Sequence, residues 1–487
     1  MPKFVLLWTD VAIWALVTAL VAYAVTVFRK PDLLANWRKV FHDAPALSSS
    51  IVLVLCLGIT LLDSVHFRPL LAPAAGAPAG AAVAYDTRTR SLLDVWMADL
   101  VDGRESTYSR PLSYLGFTKE TLLIDGQPQR VAPRLEFGGK HLKDPAKEWA
   151  GDLLARGAIG LAFGALAAVL LGMAFIAGLA RSRSQGFGQT WTRLRAADDP
   201  TPWHVALITL AVVCLLAGPA SALSGPYHLL GTDLTGNDVL YQSLKSIRTA
   251  FVIGALATVA TLPLAVVLGL LAGYFKGWVD ELIQYIYTVL SSVPNVLLIA
   301  ACVLMMQVFI DKHPELFETG AERADIKLFL LCVVLGATGW AGLCRLLRAE
   351  TLKLRELDYV QAATAFGVSH SRILSRHIFP NVAHLMLIVT VLEFSSLILY
   401  EAVLSYVGVG VDPSMNSFGG MINLARNEMS RDPLVWWSFA SAFVFMVALV
   451  LAANLFADGV RDAFDPRARA FKVRRRTHAG PATIPVP

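Results

Sequence analysis

The residues best suited to specific chemistry stand in one polar stretch of an otherwise apolar chain, DYVQAATAFGVSHSRILSRHIFPN, which we name the 358–381 loop. Tyr359, Ala362, Ala363 and Phe366 recur at helical spacing and predict a short helix with one apolar face. The small alanines would let another backbone come close to that face. The pattern therefore favours recognition of another molecule over bond-making chemistry.

The rest of the 358–381 loop predicts a turn and a second helix. Gly367 is placed to end the first helix in a left-handed conformation, and Ser369 is placed to cap the next one. Pro380 would then stop the second helix. Such a helix-turn-helix fits a docking surface for a soluble partner, and the alternative is a pair of helices lying on lipid headgroups.

The elements that position this loop are membrane helices. The chain has 487 residues, of which 55% are hydrophobic and 16% charged, with a mean hydropathy of +0.56. Soluble proteins hold roughly 45–50% apolar residues, and nine runs here reach the roughly 18–25 residues that cross the hydrocarbon core as helix. These runs are 4–28, 48–66, 153–180, 203–223, 251–275, 282–310, 326–347, 382–404 and 434–457. The sequence predicts an all-α polytopic membrane protein.

Lys and Arg residues set the predicted orientation, because basic residues in short loops stay in the cytoplasm. They are dense in 29–39, 181–195, 345–376 and 467–476 and sparser in the short loops on the other side. Nine crossings then place the N-terminus outside and the C-terminus in the cytoplasm. The net charge of +5 is explained by this topology and gives no indication of nucleic-acid binding.

Three residues are candidates for a translocation path through the membrane. Glu393 is the one carboxyl group well inside a predicted core span, and it could carry a proton, bond a neighbouring helix or face a wet cavity. Pro294 and Asn295 interrupt another predicted span, which indicates either a kink beside the path or packing alone. The five cysteines lie in or at the ends of apolar runs without a CxxC pair, which favours buried side chains over a metal site.

The motifs of the C-terminal half resemble a known family. Gln361-Ala362-Ala363, Gly367 and His377-Ile378-Phe379-Pro380 resemble the EAA loop of ABC-importer permeases of the dipeptide and oligopeptide type, with Gln361 in place of Glu and Phe379 in place of Leu. Four further segments resemble the family in the same order: LGTDLTGNDV, GYFKGWVD, SYVGVGVDPSMNSFGGM and NLFADGVRDAFDPR. The five segments lie within 230–467, about half of the chain, so this half resembles a type I ABC-importer transmembrane domain.

The resemblance implies a permease subunit of an ATP-driven importer of dipeptides or oligopeptides in a bacterial cytoplasmic (inner) membrane. The residues implied in coupling to an ATPase are Tyr359, Gln361, Ala362, Ala363, Phe366, Gly367, Arg372, His377 and Pro380. The implied partners are a second homologous permease subunit, two ABC ATPase subunits, an extracytoplasmic solute-binding protein and membrane lipids. No cofactor is implied for this chain. It contains no G-x-x-x-x-G-K-[ST] loop, and ATP and Mg²⁺ would bind the partner ATPases.

The chain departs from a six-span permease by additions in its N-terminal half. The predicted organisation is an additional transmembrane helix (1–28), a basic stretch with the first family helix (29–66), an extracytoplasmic insert (67–152), an additional hairpin (153–223), the permease core (224–461) and a basic cytoplasmic tail (462–487).

The insert is predicted to be a small α+β cap that leans on the membrane domain, because so short a unit has a thin core of its own. It would contain a flexible segment (72–84), a helix in SLLDVWMADLV and two extended runs about Asp125-Gly126. Its aromatic and basic residues are candidates for docking a partner: Trp96, Tyr108, Tyr114, Arg130 and Arg134.

Three other functions stay open. Permeases for nickel or glycosides share these motifs, and a secondary transporter would need a relay of intramembrane ionisable groups. A membrane enzyme would use the insert as its catalytic domain, but the insert holds one histidine, His141, no cysteine and no nucleophile–base pattern.

Overall fold

The computed structural model describes residues 2–71, 85–124, 127–196, 199–317 and 319–464. The predicted flexible segment 72–84, the Asp125-Gly126 turn and all but the first residues of the predicted basic tail lie outside the described residues. The α-helices are α1 (Trp8–Arg29), α2 (Pro31–Val40), α3 (Ala44–Asp63), α4 (Leu92–Trp96), α5 (Ala98–Asp102), α6 (Pro145–Ser182), α7 (Phe187–Ala196), α8 (Trp203–Ser224), α9 (Val239–Phe275), α10 (Gly277–Ser292), α11 (Asn295–Lys312), α12 (Gly320–Gly339), α13 (Ala341–Arg355), α14 (Asp358–Ala365), α15 (His370–Ile373), α16 (Phe379–Val407), α17 (Phe418–Glu428) and α18 (Trp437–Phe464). A 3₁₀ turn (Pro314–Leu316) and a π-helical turn (Leu374–Ile378) complete the helical elements.

The strands are short and form two antiparallel sheets. They are β1 (Lys3–Val5), β2 (His66–Arg68), β3 (Arg90–Ser91), β4 (Glu120–Ile124) and β5 (Gln127–Val131). The first sheet has the order β1-β2-β3, with Phe4 opposite Phe67, and the second is the hairpin β4-β5.

The number of membrane crossings agrees with the prediction for eight of the nine. Within the described ranges, eight helices are long and apolar enough to span a membrane, and the pair α12 and α13, bent by 41°, makes a ninth crossing if it is one span. The predicted span over 282–310 is broken where Pro294 and Asn295 interrupt it. Pro294 holds Val293 in an extended conformation, so α10 ends at Ser292 and α11 begins at Asn295. The first span is also shorter than predicted, because Lys3–Val5 form β1.

The added hairpin of α6 and α8 is held by close backbone approach. A Cβ on Gly164 would lie 2.5 Å from the carbonyl oxygen of Cys214, and one on Gly218 would lie 2.2 Å from that of Gly160. Only glycine permits this spacing, so the two helices pack along small residues, as membrane helices commonly do.

A buried ionic cluster joins the added helix α1 to the core. The Arg248 guanidinium of α9 donates to the Asp10 carboxylate (2.6 Å) and to the Thr9 hydroxyl (3.0 Å). The other Asp10 oxygen lies 2.7 Å from His66 Nδ1, and the Thr9 backbone N–H donates to Asp325 of α12 (3.0 Å). A buried charge must be paired to be tolerated, so Arg248 fixes α1, α12 and β2 against α9.

The insert (67–152), predicted to be extracytoplasmic, has the predicted mixture of helices and strands in its described residues. Its predicted single helix is two short ones, α4 and α5, which meet at Met97, and α4 begins with a capping box between Ser91 and Asp94. Leu93 of α4 packs against Leu240 of α9, and Tyr108 against Trp437 of α18. The insert therefore leans on the membrane helices, as its small core predicts.

His228 ties the insert to the start of α9. Its Nδ1 lies 2.9 Å from Asp238 and its Nε2 lies 3.3 Å from Glu105, and all three side chains are buried. Burial lowers the pKa of His228, but its hydrogen bonds to Asp238 and Glu105 outweigh that effect and raise the pKa to about 9. Burial raises the pKa of Glu105, and hydrogen bonds from His228 and the backbone N–H groups of residues 136–138 outweigh it and lower the pKa to about 2.

The insert should therefore loosen in alkali. The charged His228 contributes stability that is fully present below its ordinary pKa of 6.5 and is lost as the pH rises through about 9. Glu105 contributes stability above its ordinary pKa of 4.5 that is lost as the pH falls towards about 2. Hydrogen exchange of residues 136–138, corrected for intrinsic rates, should show protection falling above about pH 9. His228→Gln should remove this alkaline loss, and unchanged wild-type protection up to about pH 10 would contradict the assignment.

Removing one partner of the ionic cluster should destabilise the whole chain. Asp10→Ala leaves the Arg248 guanidinium buried without its nearest carboxylate, so the free energy of unfolding should fall by about 3 kcal/mol. Thermal unfolding in detergent measures the change. The control is Asp32→Ala, since Asp32 is an exposed acid of α2 without an ion pair among the described residues. Equal midpoints for both variants would argue against the structural role of the cluster.

Candidate functional site

The 358–381 loop begins with α14, and Gly367 ends this helix as predicted. Gly367 has φ +75°, its N–H donates to the Thr364 carbonyl (3.0 Å), and the Val368 N–H donates to the Ala363 carbonyl (3.1 Å). These two bonds form a Schellman motif, which satisfies carbonyls that the helix end leaves unpaired. The turn therefore has a definite geometry.

The inner side of the loop is anchored by three apolar side chains. Val360, Ile373 and Ile378 are at most 1% exposed and belong to one cluster with Tyr274 of α9 and Leu347 of α13. Val360 was not among the residues of the predicted apolar face. It carries the packing of α14, because its side chain is buried in this cluster.

Polar contacts hold the 358–381 loop to the C-terminal end of α9. The Tyr274 hydroxyl lies 2.8 Å from His370 Nδ1, and Arg355 Nη1 donates to the Tyr274 carbonyl (2.5 Å). Lys276, which follows α9, pairs with Glu356 (2.7 Å), and this pairing lowers the pKa of Glu356. The loop and α9 therefore form one connected unit.

The side of the 358–381 loop that faces away from the apolar cluster is exposed. Phe366 is 87% exposed and Tyr359 is 45% exposed. The other predicted site residues on this side are also exposed: Gln361, Ala362, Gly367 and Arg372. Ala363 is the exception, because it is half-buried and packs against the inner cluster. A large aromatic ring held in the open on an anchored helix is typical of a surface that a partner covers.

The predicted roles of Pro380 and Ser369 need correction. Pro380 does not stop a helix, because the helix runs on from His370 to Val407 and Pro380 lies in the first turn of α16, where its missing N–H is tolerated. The π-helical turn before it shifts the hydrogen-bond ladder by one residue, and Asn381 Nδ2 donates to the His377 carbonyl (2.6 Å). Ser369 stands at the N-cap of α15, but its side chain makes no capping bond.

The residues predicted for a translocation path lie apart from the loop. Pro294 and Asn295 form the break between α10 and α11, where Pro294 is exposed and Asn295 is half-buried. Glu393 is half-buried in the middle of α16 and has no hydrogen-bond or ion-pair partner among the described residues.

Sequence reasoning missed Glu401, a second carboxyl group of α16. Glu401 is 1% exposed and accepts a hydrogen bond from the Ser405 hydroxyl (2.6 Å), which itself accepts from the Val411 N–H (3.2 Å). The i,i+4 spacing of Glu401 and Ser405 was the available signal. In the described part of the chain, no group of three or more His, Cys, Asp or Glu side chains could hold a metal ion.

Residues 265–470 match the protein family described as "Binding-protein-dependent transport system inner membrane component". The oligopeptide transport system permease protein OppC of Mycobacterium tuberculosis is 32% identical over 248 residues, which are 51% of this chain and 79% of OppC. The chain belongs to this permease family.

Two further proteins are similar to it. The glutathione transport system permease protein GsiD of Pectobacterium atrosepticum is 33% identical over 253 residues, or 52% of this chain and 75% of GsiD. The solved MetNI methionine ABC transporter in an inward-facing conformation is 16% identical, with a TM-score of 0.33 over 47% of this chain and 96% of that chain.

Membership establishes what kind of subunit this is. The chain is a permease of an ABC importer, a mostly helical multi-pass protein of the inner membrane that assembles with other ABC subunits. ATP hydrolysis lies on separate subunits. The family match contains four of the five motif segments, whereas LGTDLTGNDV (230–239) and the additions before it lie outside the match.

A backbone prediction follows from the geometry of the loop. A Cβ at Gly367 would meet nothing within 4 Å, so Gly367→Ala should act through its positive φ alone and destabilise the end of α14 by about 1 kcal/mol. Hydrogen exchange of residues 358–368 should rise about fivefold. Gly342→Ala is the control, because a Cβ there is equally free but lies within α13 at negative φ, and its exchange should not rise. Equal effects of both variants would contradict the left-handed turn.

Proposed function

We propose that the chain is one permease subunit of an ATP-driven importer of peptides, and that the 358–381 loop receives an ABC ATPase subunit. The observation that carries the coupling assignment is the open Phe366 ring on a helix anchored by Val360. The peptide substrate is supported by the relatives, since OppC is named for oligopeptides and GsiD for glutathione, a tripeptide.

The proposed assembly contains a second homologous permease, two ABC ATPases that bind ATP and Mg²⁺, and an extracytoplasmic solute-binding protein. The proposed residues of the ATPase contact are the exposed ones of the loop: Tyr359, Gln361, Ala362, Phe366, Gly367 and Arg372. His377 and Pro380 shape the connection to α16, and Ala363 supports α14 from within.

We propose that the loop and the C-terminus face the cytoplasm and that the N-terminus and the insert face outside. The density of basic residues supports this orientation. The helix His370–Val407 then carries movement of the loop directly into the membrane, past Glu393. Together with Pro294 and Asn295 at the α10–α11 break, Glu393 is a candidate for the translocation path. The permease core is 224–461, and 1–66 and 153–223 contribute its surrounding helices.

The insert is proposed to contact the solute-binding protein through its free side chains. Trp96 is 75% exposed and Arg130 is exposed on β5. Three other predicted docking residues have internal roles. Tyr108 is buried against Trp437, and the Tyr114 ring lies tilted against Trp149, with 5.9 Å between the ring centroids. Arg134 donates to backbone carbonyls of the insert, including that of Leu142 (2.6 Å). The residues proposed to contact the solute-binding protein are therefore Trp96 and Arg130.

Peptide uptake in proteoliposomes tests the function. Vesicles containing the chain with its co-expressed permease, ATPases and binding protein should accumulate labelled dipeptides or oligopeptides only with ATP. Phe366→Ala should leave folding unchanged and weaken ATPase binding by roughly 30-fold, the loss expected for an aromatic anchor. The matched control is Leu316→Ala, which removes another exposed side chain, 62% exposed, from the turn between α11 and α12.

The outcomes separate the two parts of the proposal. Uptake that needs no ATPase subunit would contradict the importer assignment. ATP-driven transport of a non-peptide solute alone would contradict the peptide substrate. Unchanged ATPase affinity in Phe366→Ala would overturn the coupling role of the 358–381 loop.

A further inference from the structure

A cavity of about 450 Å³ lies between α1 and α2, in the part of the chain that precedes the family match. Its walls are mainly apolar and include Ala24, Val27, Leu34 and Phe41, and Arg38 is the charged side chain that lines it. Trp37 and Tyr23 also line it, with Trp37 Nε1 donating to the Tyr23 hydroxyl (3.2 Å). Aromatic residues with one polar atom are typical of the level of lipid headgroups.

The cavity lies on the same side of the membrane as the 358–381 loop. Val40 at the end of α2 packs with Val460 and Ala463 near the end of α18, and the same cluster includes Leu387 and Val391 of α16. Leu387 follows the loop by fewer than two helical turns, so α2 lies at that membrane face. With ten residues and an apolar side towards α18, α2 has the pattern of a helix in the interface.

The positive charge around the cavity is not balanced within the described chain. Arg29, Lys30, Arg38 and Lys39 are all exposed, and none has an ion pair among the described residues. Of the nearby acids, Asp32 of α2 is exposed and pairs with none of these cations, and Asp43 is occupied as the N-cap of α3, where it accepts from the Ala46 N–H (3.3 Å). The apolar cavity therefore has one unpaired cation in its lining, Arg38, and the other three lie close to lining residues in the sequence, so cations exceed acids in this segment.

The volume of the cavity limits what can occupy it. A helix about 10 Å across takes up roughly 420 Å³ per turn, so the cavity would hold barely one turn of a partner helix. An acyl chain is narrow enough to enter, and an attached anionic headgroup would meet the basic side chains at the rim. Both halves of the site, apolar walls and unpaired cations, are matched by one amphiphile.

We propose that the α1–α2 cavity binds an anionic phospholipid of the adjacent leaflet, with one acyl chain inside and its phosphate on Arg38. Arg38, which lines the cavity, favours an anionic over a zwitterionic headgroup, and Arg29, Lys30 and Lys39, outside the lining, add a weaker screened field. The lipid would hold the added helix α1 against α2 at the membrane face that carries the 358–381 loop. This site goes beyond the proposed function, and it depends on neither the peptide substrate nor the ATPase contact.

Photo-crosslinking tests the proposal on the full-length chain in nanodiscs. The probes are phosphatidylglycerol and phosphatidylcholine with the same diazirine-bearing acyl chain, and labelled positions are mapped by mass spectrometry. Phosphatidylglycerol should label residues 23–41 about fivefold more than phosphatidylcholine, the preference expected for one basic residue beside a headgroup with a net negative charge. Arg38→Gln should bring the two probes to within about twofold, whereas Arg461→Gln, an exposed basic residue of α18 outside the cavity, should keep the preference.

A second pair of variants tests the acyl-chain site without changing charge. Ala24→Trp fills the cavity and should abolish labelling of residues 23–41. Val25→Trp places the same side chain on a 44% exposed position of α1 outside the cavity, and labelling should persist. Equal labelling by the two lipids, or full labelling of a correctly folded Ala24→Trp variant, would overturn the proposal. Crosslinking of residues 23–41 to another protein subunit instead of lipid would also overturn it.

Discussion

A guanidinium buried among membrane helices must have a carboxylate within reach, and Arg248 imposes this constraint on the elements around it, α1, β2 and α12. Its pairing with Asp10 forces the N-terminal segment to cross the membrane beside α9 and not elsewhere in the bilayer. The same contacts place Thr9 on Asp325 and His66 on Asp10, so the first sheet forms directly above the cluster. The added helix α1 is therefore joined to α9 by buried polar contacts.

The central helix α9 connects this cluster to the candidate docking surface. Arg248 lies near one end of α9 and Tyr274 near the other, about 39 Å apart at 1.5 Å per residue. Tyr274 contacts His370 of the loop, and Arg248 holds α1 and α12. If a bound partner displaced the 358–381 loop, the movement would be transmitted along α9 to the Arg248 cluster, because α9 is one continuous and largely buried helix. The packing of Val360 also supports this transmission, because it makes α14, with the exposed Phe366, part of a rigid unit.

Much of this architecture could be predicted from the sequence, and the misses have physical causes. Long apolar runs predict membrane crossings, because a helix that crosses the bilayer bonds all its backbone groups internally. The position of Gly367 predicts that the helix ends in a left-handed residue, because few residues other than glycine tolerate a positive φ. Pro380 was misjudged, since a proline that stops a helix and one that begins a helix look alike in sequence. The Arg248 cluster could not be predicted from the sequence, because Asp10 and Arg248 are 238 residues apart and only the fold brings them together.

The central claim is that the anchored 358–381 loop is cytoplasmic, that the insert is external, and that both belong to opposite ends of one helical core. The side of the membrane on which Trp96 and Phe366 lie tests this claim most directly. Trp96→Cys and Phe366→Cys can be labelled in intact cells with a membrane-impermeant maleimide, before and after permeabilisation. The account predicts that Cys at 96 reacts in intact cells, and that Cys at 366 reacts only after permeabilisation and is then protected by the ATPase subunits. Labelling of the Phe366→Cys variant in intact cells would contradict the account.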